Sequence, residues 1–155
     1  MKVSDAAFKT YVFPLKVETG KAPAFVDITE QVTDVVHESD VRNGFTLVFS
    51  RHTTAAITIQ ENEPLLLTDM ATTLERFAPV NAHYRHNDFS VRTVHMHENE
   101  CPNGHSHCQH LVLGTSETVP LIDGSLALGE FQRIFVVELD PEKIRREVLI
   151  QIMGV

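Results

Sequence analysis

The sequence predicts an α+β fold of largely antiparallel β-sheets with two to three helices, in one domain spanning residues 1–155. Three observations carry this. Strand-like and helix-like stretches segregate along the chain instead of alternating. The last third is rich in hairpin turn signals. The length of 155 residues suits one compact domain with a real core and is short for two.

Phe8–Val17 (FKTYVFPLKV) reads as a strand, with Pro14 marking an edge or a bulge because proline cannot donate to a ladder. Residues 19–24 (TGKAPA) read as a loop. Asp27 then predicts a helix start, its carboxylate capping free N–H groups and Glu30 standing three residues later as in a capping box. Ile28, Val32, Val35 and Val36 mark the apolar face. Arg42-Asn43-Gly44 is expected to end the helix, Gly44 supplying a positive φ.

Phe45–Ser50 and Ala55–Gln60 are apolar and β-branched, so both predict strands, joined or interrupted by residues 51–54. Asn62 and Pro64 open a second helix that runs to about Phe77 and stops before Pro79. Leu66, Met70, Leu74 and Phe77 keep its spacing. Residues 80–103 lack periodicity and read as a long loop, a length that in a small domain usually signals function or disorder. Residues 104–113 predict a short helix stopped by Gly114. Strands follow at 118–122, 125–128, 131–139 and 147–153, with turns at Asp123-Gly124 and Asp140-Pro141. Helices on one sheet face would leave the other in need of cover, so self-association is expected.

Charge and composition narrow the function. Thirteen basic against twenty-one acidic residues leave −8, which opposes binding to nucleic acid, whose affinity rests on many Lys and Arg contacts. The apolar runs are too short for a membrane span. Met1–Thr10 lacks the apolar stretch of a secretory signal and two cysteines make no disulfide framework, so a cytoplasmic protein is expected.

Histidine is over-represented: nine against five lysines, with seven of the nine between His83 and His110. Imidazole is the commonest metal ligand and the natural proton carrier near neutral pH. In a helix, His107 and His110 would share a side; in an extended segment, His105 and His107 would. Cys101, His105, His107, Cys108 and His110 offer a mixed sulfur–nitrogen zinc set, though not at finger spacing. Outside the cluster, His52 lies in Arg51-His52-Thr53-Thr54 between two strands, where a rigid scaffold can position it. Glu61 and Asn62 precede a helix N-terminus able to hold a phosphate, although Asn62 is equally well read as a plain N-cap. Gly114-Thr115-Ser116 is a hydroxyl-rich turn of the kind that grips phosphate oxygens, or simply a helix stop.

Several separated blocks in order resemble the YjbQ family: RHTTAAITIQENEP at 51–64, YRHND at 84–88, NGHSHCQHLVLGTS at 103–116, VPLIDGSLALGEFQRI at 119–134, and the ELD segment with its arginine-bearing turn at 138–146. The resemblance spans about 45–154 and implies an α+β homotrimer with a histidine-built pocket near subunit boundaries. It matches His52, His86 and His107 as the pocket histidines and Glu61 as the carboxylate. It does not carry His83, His95, His97 or His110. Glu130 and Phe131 replace the family's usual Thr-Trp before Gln132, and 140–143 depart from its usual turn. The family is associated with a secondary thiamine phosphate synthase activity.

On that pattern the expected protein is a metal-assisted enzyme acting on a small phosphorylated molecule. His52, His86 and His107 would hold a divalent ion, zinc or magnesium. His52 and Glu61 would be catalytic, and Asn62, Thr115 and Ser116 would bind phosphate. The alternatives are a metal- or ligand-binding regulatory module without catalysis, and a structural trimer with a pH-dependent histidine surface.

Overall fold

A computed structural model describes residues 7–155. Its strands are β1 (Lys9–Glu18), β2 (Ala24–Asp27), β3 (Gly44–Ser50), β4 (Ala55–Gln60), β5 (Ser116–Ile122), β6 (Ser125–Leu126), β7 (Arg133–Glu138) and β8 (Arg145–Gly154). Its helices are α1 (Thr29–Glu38), α2 (Pro64–Phe77) and α3 (Gly104–Leu113), with a 3₁₀ turn at Arg85–Asn87. The strands form a five-stranded sheet, β1-β8-β3-β5-β6, and a three-stranded sheet, β2-β7-β4, both antiparallel. The α+β class and its antiparallel sheets are as the segregated pattern implies.

Two apolar cores explain the layering. Strand alternation sends Val48, Val119, Val148, Ile150 and Ile152 from the large sheet against Ile57, Ile134 and Val136 of the small one, with Val32 and Val36 of α1 closing the side. The opposite face of the small sheet places Ala56, Phe135, Val137 and Leu139 with Leu74 of α2 and Leu113 of α3. β7 is therefore buried on both faces, which is why IFVVELD reads as a nearly continuous apolar run.

Several local expectations change. Ala24, read as the end of a loop, and Asp27, read as a helix start, bound a strand, β2, paired with β7; a four-residue strand is too short to show alternation. Asp27 is a strand residue and Ile28 takes the N-cap position of α1, but the Asp27 carboxylate does hold a free N–H of the helix's first turn. Its Oδ1 accepts from the backbone N–H and hydroxyl of Thr29, while Arg133 and Asn62 hold Oδ2, and Glu30 pairs with Arg133 instead of reaching back. Gly44 does not stop α1 with a positive φ; Asp40 adopts that conformation, at φ 57°. Gly44 is needed for space, since an added Cβ would strike the Met153 carbonyl and lie 2.6 Å from Gly154 Cα.

Other readings stand. Pro14 lies on β1, an edge strand. α2 spans Pro64–Phe77, Gly114 closes α3 at φ 89°, and Asp123 and Gly124 both take positive φ in the β5–β6 hairpin. Among the described residues, no helix is long and apolar enough to cross a membrane.

Candidate functional site

The end of the small sheet where β4 begins and β7 finishes is built around a buried ion pair. Glu138 ends β7 with no exposed surface, and Arg146 on β8 is 7% exposed. Arg146 donates to Glu138 through Nε (2.7 Å) and Nη2 (2.6 Å). The Thr19 hydroxyl and the backbone N–H groups of Leu139 and Asp140 supply further donors to Glu138. Arg146 also donates to the hydroxyl and carbonyl of Thr54. A carboxylate taken out of water in an apolar strand needs this degree of satisfaction.

That pair fixes the Arg51–Thr54 turn. Ser50 Oγ donates to the Ala55 carbonyl (2.7 Å) and accepts from the His52 N–H (3.3 Å), so one hydroxyl clamps the connection. His52 Nε2 lies against the Glu147 backbone, 3.1 Å from its oxygen and 3.3 Å from its nitrogen. This leaves Nδ1 as the His52 ring nitrogen available to a ligand. Asp140, also buried, accepts from Thr54 Oγ1, Asn103 Nδ2 and the Glu142 N–H.

The long loop is folded, not open. Arg92 donates to Glu100 (2.6 Å) and to the carbonyls of His95 (2.7 Å) and His86 (3.4 Å). The 3₁₀ turn docks on α3 where the Gly104 N–H donates to Asn87 Oδ1 (2.9 Å). This contact requires glycine, because a Cβ there would lie 2.6 Å from Tyr84 Cβ. It brings the His86 and His107 rings to a centroid distance of 4.6 Å at 70°. His86 Nε2 is buried without a hydrogen-bond partner among the described residues, 3.9 Å from Glu100 Oε1.

These elements surround a cavity of about 600 Å³. His52, His86 and His107 all line it, with Arg51, Arg92, Lys143 and Arg146. Burial pushes the His107 imidazolium pKa down, and the neighbouring His86 adds to this against a backbone hydrogen bond at Thr53. Burial, then the Arg146 charge, lower that of His52. Both rings are therefore held toward the neutral form that accepts protons or binds metals. Burial would raise the Asp140 carboxyl, but the Glu142 N–H, Asn103 and Arg146 outweigh it and keep it ionised. Burial, together with Asp140, pushes the Cys101 thiol up to about 11, so it is not a thiolate at neutral pH.

Other expected site residues lie elsewhere. Glu61 and Asn62 follow the far end of β4 from His52, roughly 20 Å away at strand rise. Glu63, not Asn62, caps α2, accepting from Leu65 and Leu66, so a carboxylate already occupies the N–H groups expected to hold phosphate. Asn62 instead donates to Asp27. The Thr115 carbonyl accepts from Ser50, and Ser116 is an exposed residue opposite Phe49 at the start of β5. None of these four residues lines the cavity.

The mixed sulfur–nitrogen set is not assembled either: among the described residues, no three His, Cys, Asp or Glu side chains are placed to hold a metal ion. His105 and His107 line different cavities. Arg92 and Glu100 were not singled out from the sequence, and Glu138, Asp140 and Arg146 entered only as part of the family-like 138–146 block, with no site role. The available signal was an acidic pair inside the apolar IFVVELD run, since a charge there demands a partner.

Residues 14–155 match the family described as UPF0047 protein YjbQ-like. A UPF0047 protein from Methanothermobacter thermautotrophicus is 41% identical over 138 residues, covering 89% of each chain. The crystal structure of a YbjQ-like protein of unknown function from Sulfolobus solfataricus superimposes with a TM-score of 0.86 at 32% identity, covering 96% of this chain and 100% of that one. A hypothetical protein from Aeropyrum pernix gives 0.80 at 27% identity, with 94% and 99% covered. The family match over nearly the whole chain, with relatives this similar, means that the chain belongs to the UPF0047, YjbQ-like family.

Proposed function

We propose that the histidine- and arginine-lined cavity is the site of an enzyme acting on a small phosphorylated molecule. One observation carries the reading. In a chain of net charge −8, Arg51, Arg92, Lys143 and Arg146 converge on the same cavity as His52, His86 and His107 and outnumber its three carboxylates, Glu100, Asp140 and Glu142. Lys143 enters none of the ion pairs formed among the described residues, which leaves its ammonium for an anion. Arg51 is exposed and shared only with Glu147, at 3.2 Å. Arg92 and Arg146 are committed to Glu100 and Glu138, so they shape the wall more than they offer free charge.

His86 and His107 are the residues that would hold a divalent cation. The unpartnered Nε2 of His86 beside a largely neutral His107 fits an imidazole-binding ion such as zinc better than magnesium, which prefers oxygen ligands. Such an ion would neutralise charge on a leaving phosphate. His52 Nδ1 is the group on this chain suited to accept a proton.

The finer reading is a thiamine phosphate synthase-type transfer. The ring nitrogen of a thiazole phosphate attacks the methylene carbon of a pyrimidine methyl diphosphate. The carbon–oxygen bond breaks, and diphosphate leaves with the electron pair. Lys143 and Arg51 would hold that leaving group. A homotrimer is proposed with it, supported by the β2 edge and by the exposed Leu65, Leu111 and Phe131.

Calorimetric titration with inorganic diphosphate, with and without zinc, tests the reading. Wild type is expected to bind, and Lys143→Ala and His107→Ala each to weaken binding by at least tenfold. No binding to wild type under either condition sinks the proposal. Release of diphosphate from the two thiamine precursors tests the finer reading, and light scattering at three times the 17.4 kDa chain mass tests the trimer.

A further inference from the structure

The wall of the histidine- and arginine-lined cavity is of two kinds. Thr54, Asp140 and Arg146 are fixed in the buried network around Glu138, and His107 stands on α3. His95, His97 and Asn99 also line the cavity, but they stand on a loop whose hydrogen bonds stay within residues 92–100. Arg92 Nη1 donates to Glu100 Oε1 at 2.6 Å, an ion pair with each side chain 15% exposed, and so clasps the two ends of the segment together. Arg92 Nη2 donates to the His95 carbonyl (2.7 Å), and the His97 N–H donates to Glu100 Oε2 (3.3 Å). Among the described residues, no hydrogen bond runs from 93–99 to a strand or helix.

Packing does not hold the segment either. Residues 93–99 are all exposed, the apolar Val94 and Met96 among them. A span with joined ends and few contacts outside itself is one that opens without disturbing the rest of the fold. His95 takes φ 53°, a left-handed conformation that costs energy in a residue with a side chain and recurs at ligand clamps and switch segments. The two rings suit the anion read for this cavity. An imidazole carries at least one N–H in either charge state. Among the described residues, the rings of His95 and His97 enter no hydrogen bond or ion pair, so those N–H groups are unspent. Both rings are exposed as well as cavity-lining, so a ligand can reach them. The family blocks match neither, which makes them an addition of this chain to the site.

We infer that residues 93–99 are a strap that closes over an anion in the cavity, with His95 and His97 as its two donors. The Arg92–Glu100 clasp keeps the ends together, so the strap swings as one piece against the fixed wall. Closure excludes water, which strengthens each charged contact inside, and it slows departure of the ligand. The inference rests on the reading of this cavity as an anion site and adds a moving wall to it.

Inorganic diphosphate is the probe, used in the zinc condition that gives binding to wild type. Hydrogen exchange of the wild-type protein, read by mass spectrometry, is expected to slow about fivefold or more over 93–99 at saturating diphosphate. The Asp123-Gly124 hairpin, which lies outside the cavity, is expected to exchange as before. Replacing both rings, His95→Ala with His97→Ala, is expected to raise the dissociation rate of diphosphate about tenfold and to leave the association rate within about twofold. The urea midpoint should stay in place, because both side chains are exposed. Diphosphate binding without slower exchange over 93–99 overturns the strap and leaves the anion site standing. An unchanged dissociation rate in the double variant equally overturns it, since the rings would then donate nothing. Absence of diphosphate binding to wild type removes the anion site and the strap with it.

Discussion

β7 carries an arginine–carboxylate network at each end, and the two differ in everything except chemistry. At its start, Arg133 holds Asp27 (2.8 Å) and Glu30 (3.0 Å) while half open to solvent. At its finish, Glu138 holds Arg146 with both side chains sealed from water. The first network joins β2, α1 and the loop before α2, and water can replace any of its bonds. The second has no such substitute: both Glu138 oxygens and the Nε and Nη2 of Arg146 are matched by protein groups. The comparison teaches that burial, more than the ion pair itself, marks the end that carries the cavity, because only the sealed network fixes the turn that presents His52.

The largest effect should come from breaking the sealed pair. Arg146→Met strands the Glu138 carboxylate and is expected to cost about 3–5 kcal/mol in urea unfolding. Adding Glu138→Gln should recover part of that loss, since the orphaned charge is gone. Arg133→Ala should cost no more than about 1 kcal/mol, as expected for a partly exposed pair. Equal losses at the two ends would break the comparison.

Gly104→Ala probes the same end from its loop side. The added methyl meets Tyr84 and must push the 3₁₀ turn off α3, at an expected cost of about 1–3 kcal/mol. Proton contacts between the His86 and His107 rings should disappear from nuclear Overhauser spectra. Retention of those contacts would show that the turn is held by something other than this close approach.

Acid separates the two ends by pH window. Burial is the leading cause that lowers the pKa of His52, His105, His107 and His110. Below about 6.5 the unfolded chain therefore takes up protons that the folded chain refuses, and stability falls as pH drops through that region toward the lowered values. Asp27 behaves differently. Burial would raise its carboxyl, but Arg133, Thr29 and Asn62 together lower it. Its contribution is present above about 3.9 and is lost only as pH falls toward its lowered value. Denaturation midpoints at pH 7.5 and 5.5 should thus differ, and His107→Ala should narrow the difference.

The smallest effect is expected from Asn62→Ala, which removes one exposed hydrogen bond to Asp27 (2.9 Å) and should shift stability by no more than about 0.5 kcal/mol. It should leave diphosphate titration unchanged, since Asn62 lies outside the cavity.

Much of the scaffold was legible because local chemistry decided it. Pro64 and Pro79 permit few backbone conformations, Gly114 and Asp123-Gly124 accept the positive φ that most residues avoid, and the elements they delimit lie where expected. β2 was illegible because its existence depends on a partner strand more than a hundred residues away. The capping role of Glu63 was obscured by Asn62, an equally good capping residue one position earlier. In the site, His52, His86 and His107 were legible through the family blocks and do line one cavity. Glu61, Asn62, Thr115 and Ser116 were adjacent to suggestive features in sequence but not to the cavity in space. Arg146 and Glu138 escaped because a contact between the two sheets leaves no mark in either local segment.

The double burial of β7 has a consequence for how the molecule opens. Ile134 and Val136 belong to one core and Phe135 and Val137 to the other, so neither layer can detach without exposing the same strand. Amide hydrogens of β7 should therefore exchange with solvent only through whole-molecule unfolding, while those of residues 80–103 exchange through local opening. A ligand that tightens the cavity would then slow exchange deep inside the protein, at amides it never touches.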